Sequence, residues 1–168
     1  MRLLAIAVVF AACVLVPCVA RADGTLTSVL FVSKSENKNQ VHYGVHLDDR
    51  CEFTSGAPVF AYWRMLERGP NATEPLLPRE QRGYGIAKQE VHGDTVRFML
   101  RALPARPITI YVSRTPDGTC TARAETTIAG VVARLFNVHI ALGFLRIDHL
   151  LLTGWAATGQ VVRERLTV

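Results

Sequence analysis

Alternation of apolar and polar residues, broken at short intervals by turn chemistry, constrains this chain more than any other feature. Val41, Tyr43, Val45 and Leu47 point one way while His42, Gly44, His46 and Asp48 point the other, the period of a half-buried strand. Val96, Phe98 and Leu100 repeat that pattern against Thr95, Arg97, Met99 and Arg101, and so do Ile108, Ile110 and Val112 against Thr109, Tyr111 and Ser113. Phe136, Val138, Ile140 and Leu142 alternate with Asn137, His139, Ala141 and Gly143. The run 59–66 is apolar on both faces apart from Arg64, which places it centrally in a sheet.

Turn signals separate these runs. In Thr115-Pro116-Asp117-Gly118, Pro116 presets φ and Gly118 supplies a positive φ, a strong hairpin signal. His92-Gly93-Asp94 makes a second tight turn, Asp48-Asp49-Arg50 a third, and 69–75 a surface loop. A helical turn is expected only at 79–82, after Pro78 and before Gly83. The pattern predicts one all-β domain over 23–168, an antiparallel β-sandwich or β-barrel of about eight or nine strands. From Ile128 to Trp155 the chain is unusually apolar. Those strands form either the core wall of a sandwich or the lining of a barrel able to carry a small apolar ligand.

Residues 1–22 read as a signal peptide. Arg2 precedes the uncharged run Leu3 to Val16, Pro17 breaks it, and Ala20-Arg21-Ala22 has the small-x-small form of a cleavage site. Cleavage after Ala22 directs the protein to the periplasm or outside the cell. The alternative, a lipoprotein anchored through Cys18, is disfavoured because Pro17 stands where a small residue is wanted. No later stretch is long and apolar enough to span a bilayer, so no transmembrane segment is expected in the mature chain. Losing Cys13 and Cys18 leaves Cys51 and Cys120, and an even pair in an exported chain is most simply a disulfide. Losing Arg2 and Arg21 lowers the formal charge from +5 to about +3. The remaining cations are scattered, without the basic run that marks a nucleic-acid binder.

Three phrases carry a resemblance. Ser35-Glu36-Asn37-Lys38-Asn39-Gln40-Val41-His42-Tyr43, then 58–67 with Tyr62-Trp63, then 77–86 with Tyr84-Gly85, resemble a bacterial family of exported proteins known as domain of unknown function 4833. That family has no assigned activity, so the resemblance implies an exported single-domain protein and carries over no catalytic residue.

Candidate chemistry is sparse. His42 and His46 share a strand face but stand roughly 13 Å apart at the strand rise, too far for one ion, and His139 with His149 is a weak pair; no metal site and no cofactor is expected. Asp48, Asp49 and Glu52 beside Cys51, and Asp148 beside His149, are the acid–base candidates for a small secreted hydrolase, and no nucleophile elbow accompanies them. Trp63 alternates inward with Val59, Ala61 and Met65, which leaves Tyr62 facing outward with Phe60 and Arg64. Aromatics beside arginines suit a sugar ring or a partner protein. Tyr62, Arg64, Tyr84 and Arg82 are therefore the candidate binding residues for a protein or glycan of the cell envelope. Arg97, Arg101 and Arg123 are expected on one outer face, solvated and keeping the sheet edge-safe.

Overall fold

The computed structural model describes residues 25–143 and 147–167; residues 1–22, where a signal peptide is expected, lie outside them with Cys18. The chain begins with four strands: β1 (Thr25–Lys34), β2 (Gln40–Leu47), β3 (Val59–Arg64) and β4 (Thr73–Pro75). One helix, α1 (Pro78–Tyr84), leads into β5 (Ile86–His92), β6 (Thr95–Leu100), β7 (Ile108–Arg114) and β8 (Cys120–Ile128). The last three strands are β9 (Val131–Leu142), β10 (Ile147–Ala156) and β11 (Val161–Thr167).

All eleven strands belong to one sheet, and β9 is its branch point. Along one edge β9 pairs antiparallel with β10, from Ala133 opposite Ala156 to Leu142 opposite Ile147. Its other edge serves two partners in succession. Val131–Arg134 pair antiparallel with β8, and Asn137–Ile140 pair parallel with β1. Phe136 falls between them as an extra residue, because Leu135 pairs with Gly154 and Asn137 with Thr153. Such a bulge bends and twists its strand. Gly154 permits the close approach: a Cβ there would stand 2.7 Å from both the Arg134 carbonyl and Ile128 Cδ1.

From this branch two leaves extend, β1-β2-β3-β4 and β8-β7-β6-β5. Their inward residues form one core, with Tyr43, Val45 and Leu47 from the first leaf against Phe98, Ile108 and Ile110 from the second. A bulge in β1, between Ser28 and Leu30, turns both Val29 and Leu30 into that core. Far from β9, the leaves meet through a side chain. The Gln89 amide on β5 accepts the Val59 N–H at 2.9 Å and donates to the Val59 carbonyl at 3.2 Å. This substitutes for a backbone ladder, so the sheet curls over its core without closing. The Cys51–Cys120 disulfide, spanning 69 residues, ties the loop after β2 to the start of β8.

The all-β, mostly antiparallel reading holds, with two differences. Among the described residues eleven strands are present, one pairing is parallel, and a single open sheet replaces the closed barrel or separate sandwich. Alternation reports which side of a strand is buried and says nothing of which strand lies beside it. The second difference is β3, which sits next to the edge, covered beyond only by three-residue β4. Its outward apolar residues are shielded by neighbouring rings rather than by a further layer. Arg97 and Arg123 do lie on one outer face, since β6, β7 and β8 pair consecutively. Among the described residues no helix is long and apolar enough to cross a membrane.

Cross-linking a loop of this length stabilises a fold by about 4 kcal/mol in the chain-entropy account. Urea unfolding with and without reductant is expected to show the midpoint falling by a corresponding amount on reduction. Coincident curves would contradict the assignment.

Candidate functional site

Alternation in β3 turns Trp63 inward at the open end of the core, where it is 9% exposed. A buried indole N–H needs an acceptor, and α1 supplies it: Trp63 Nε1 donates to Glu80 Oε2 at 3.0 Å. The same oxygen accepts the Leu77 N–H at 2.8 Å. Pro78 opens the helix with its φ preset and Glu80 follows in the first turn, so helix start and indole share one carboxylate. Trp63 first, then the Leu77 amide and the charges of Arg79 and Lys34, hold Glu80 below the usual carboxylate range.

At the other end of α1, the Tyr84 ring meets Trp63 edge-on at 5.7 Å. The Lys34 ammonium, at the end of β1, lies 5.0 Å from the indole centroid and 5.3 Å from the phenol, within cation–π range of both. Tyr43 donates its O–H to the Tyr84 carbonyl at 2.5 Å, and burial pushes the Tyr43 phenol up. Gly85 is required by proximity: a Cβ there would sit 2.2 Å from the Gln81 carbonyl.

Above these rings opens a cleft of about 500 Å³. Trp63, Met65, Pro75 and Leu77 supply its apolar surface, and Lys34, Asn37, Asn39, Glu74 and Glu80 its polar groups. Asn39 is fixed by Glu67, donating to its carboxylate at 3.2 Å and accepting its backbone N–H at 3.3 Å. Glu74 pairs with Arg68. The three phrases that carry the family resemblance thus converge here, through Asn37 and Asn39, Trp63, and Leu77 to Gly85.

The four candidate binding residues do not converge. Tyr84 packs behind the cleft against Trp63, Arg82 is exposed on α1, and Tyr62 with Arg64 occupies the opposite face of β3. On that outer face five rings follow one another: Phe31 to His42 at 5.5 Å, His42 to Tyr62 at 5.8 Å, Tyr62 to Phe60 at 5.7 Å, and Phe60 to His46 at 4.7 Å. Three of these four pairs are stacked and the His42–Tyr62 pair is tilted by 35°. Arg64 turns to the Pro70 carbonyl at 3.1 Å.

His42, the second ring of this row, is buried, with Nε2 against Gln40 Oε1 at 2.9 Å and Nδ1 against the Ser28 hydroxyl at 2.8 Å. The glutamine oxygen assigns the proton to Nε2, so Nδ1 accepts from Ser28. Burial, and then the charge of Arg64, lower its pKa from 6.5 to about 4.

The remaining acid–base, histidine and apolar candidates have the following surroundings. The Asp48 carboxylate accepts the amides of Arg50 and Glu52 at 3.0 and 2.8 Å, organising the turn before Cys51. Asp148 contacts its neighbour His149 at 2.6 Å and Arg165 at 3.2 Å. His139 stands opposite Leu151 and His149 opposite Ala141, with Ser33 bonded to His139 at 3.0 Å. The inward residues of the apolar segment, Leu135, Val138, Ile140, Leu150 and Leu152, fill the core. Lys34, Glu74 and Glu80 line the cleft without having been expected there. Of these only Glu80 had a visible signal, an acid in the first turn after Pro78.

Because the folded pKa of His42 lies below its unfolded value, the unfolded state binds the extra proton between about pH 4 and 6.5. Its stabilising contribution is complete above pH 6.5, and falls by up to about 3 kcal/mol as the pH drops to 4. Chemical unfolding across that interval is expected to show the slope, and His42→Gln to flatten it. An unchanged slope in the variant would assign the acid sensitivity to other groups.

No curated protein and no solved structure matches the chain. Each phrase quoted for the resemblance contributes at least one residue to the cleft, and the match extends across nearly the whole described fold. The chain belongs to the family described as Domain of unknown function (DUF4833), whose model matches residues 30–165.

Proposed function

We propose that this protein is an exported, non-enzymatic module that binds a glycan of the cell envelope in the Trp63 cleft. The observation that carries the reading is the cleft's composition and size. Apolar surface from Met65, Pro75 and Leu77 lies among amide, carboxylate and ammonium groups, which suits a sugar ring with one apolar face and a hydroxyl rim. A concavity of about 500 Å³ lies in the range of small-ligand sites, whereas a standard protein partner covers about 800 Å² per side. The charged lining is Lys34, Glu74 and Glu80, with Arg68 paired to Glu74 and the charge of Arg79 beside Glu80, so the site is close to charge balance and suits neutral sugars. The apolar leader and the Cys51–Cys120 bridge suit an oxidising compartment.

A second reading has its own observation, the row of rings with Tyr62 and Arg64 on the outer face, which suits a partner protein. The two are separable because β3 divides them.

Titration calorimetry against neutral, acidic and amino-sugar oligosaccharides is expected to show binding that Leu77→Ala or Glu74→Gln weakens about tenfold. Tyr62→Ala combined with Arg64→Ala is expected to leave it intact. Loss in that double variant alone would move recognition to the outer face, and no binding to any sugar class would remove the glycan reading.

A further inference from the structure

Among the described residues, four of the seven exposed large hydrophobic side chains lie away from the cleft, at two hairpin tips. The turn between β8 and β9 presents Val131 and Val132, 46% and 64% exposed, and the β10–β11 hairpin presents Trp155 and Val161, 40% and 42% exposed. The tips are adjacent: Trp155 stands opposite Arg134 on one side and Val161 on the other, and Ala156 opposite Ala133. Phe136, the bulged residue of β9, stacks on Trp155 at 4.1 Å. Neither tip carries a charge, for none occurs from Thr126 to Ala133 or from Leu150 to Val162. Monomers rarely leave such contiguous apolar surface without a partner.

Behind the tips the charge is positive. Arg134 lies over the Trp155 ring at 5.7 Å, and neither it nor Arg163 has a carboxylate partner among the described residues. The acids nearby are engaged elsewhere. Glu125 is held by Arg123 at 2.7 Å. Glu164 faces inward, bonded to Arg106 at 2.8 Å and to the Ala129 N–H of the first tip at 2.8 Å, which fixes that turn.

We propose that these tips seat on an anionic lipid surface, with Val131, Val132 and Trp155 in the interface and Arg134 and Arg163 on the headgroups. Tryptophan beside aliphatic residues, with Arg134 level with Trp155 and Arg163 one step further from the tip, matches the apolar-to-polar gradient of a bilayer edge. An acidic glycan would use the arginines but leave the valines in water. A second copy joined face to face would set arginine against arginine. This surface is independent of the glycan cleft, and either assignment can fail alone.

The test is co-sedimentation of the purified protein with vesicles of phosphatidylcholine, alone or mixed with phosphatidylglycerol, alongside Trp emission. Binding is expected only where phosphatidylglycerol is present, with a blue shift that Trp155→Phe removes, since Trp63 is already buried. Val132→Asp is expected to weaken binding more than tenfold, and Arg134→Gln or Arg163→Gln about fivefold each. Val161→Ser, a milder change, serves should Val132→Asp alter the unfolding midpoint, and is expected to weaken binding as well. Equal binding to both vesicle types would overturn the proposal. So would unaltered binding by folded Val132→Asp, capture of a soluble acidic polysaccharide without vesicle binding, or a dimer in sedimentation velocity that this variant dissolves.

Discussion

Strand β9 carries three partners, and the rest of the molecule depends on how it does so. Its β10 edge is continuous, while its other edge passes from β8 to β1 across the Phe136 bulge. One strand thereby seeds two leaves that bend toward each other and share a core. The bend is possible because Gly154 lets β10 approach where any side chain would collide with Arg134 and Ile128. Further ties between leaves, among them the Cys51–Cys120 bridge, the Gln89–Val59 contact and the bond from Arg114 to the Asp49 carbonyl, secure a curl that β9 has already imposed.

The two surfaces of interest lie toward opposite ends of that strand. Its first residues form the uncharged tip beside Trp155. Its later residues pair with the end of β1, where Lys34 stands opposite Ile140 and reaches over Trp63 and Tyr84. The polarity differs accordingly. The cleft balances its carboxylates with Lys34, Arg68 and Arg79, and its most buried groups are satisfied within the protein: Trp63 by Glu80, Asn39 by Glu67, Tyr43 by the Tyr84 carbonyl. Such a network holds its shape before any ligand arrives, which limits what binding has to order. The tips instead keep apolar and cationic groups facing outward, which suits a surface more than a small ligand.

Much of the local structure was legible in the residues. The inward set of β2, β6 and β7 is the one alternation marks, Trp63 and Tyr62 divide across β3 as their spacing requires, and the β7–β8 turn forms at Pro116 and Gly118. What alternation could not convey was partnership. The parallel pairing of β1 with β9 joins segments about a hundred residues apart, and nothing in either strand encodes the other. The site suffered for the same reason. Tyr62, Arg64, Tyr84 and Arg82 are close in phrase but not in space, because β3 sends adjacent residues to opposite faces. Lys34 and Glu80 reach Trp63 only through tertiary contacts, and Glu74 joins the cleft through β4, a strand too short to announce itself.

Native-state amide hydrogen exchange, resolved by residue, tests the central role of β9 most directly. The account predicts slowest exchange in Leu135 to Ile140, with β1 and β8 protected to a similar degree and opening together with β9. Exchange in β9 that precedes that of β2 and β7, or two leaves that open independently, would contradict it.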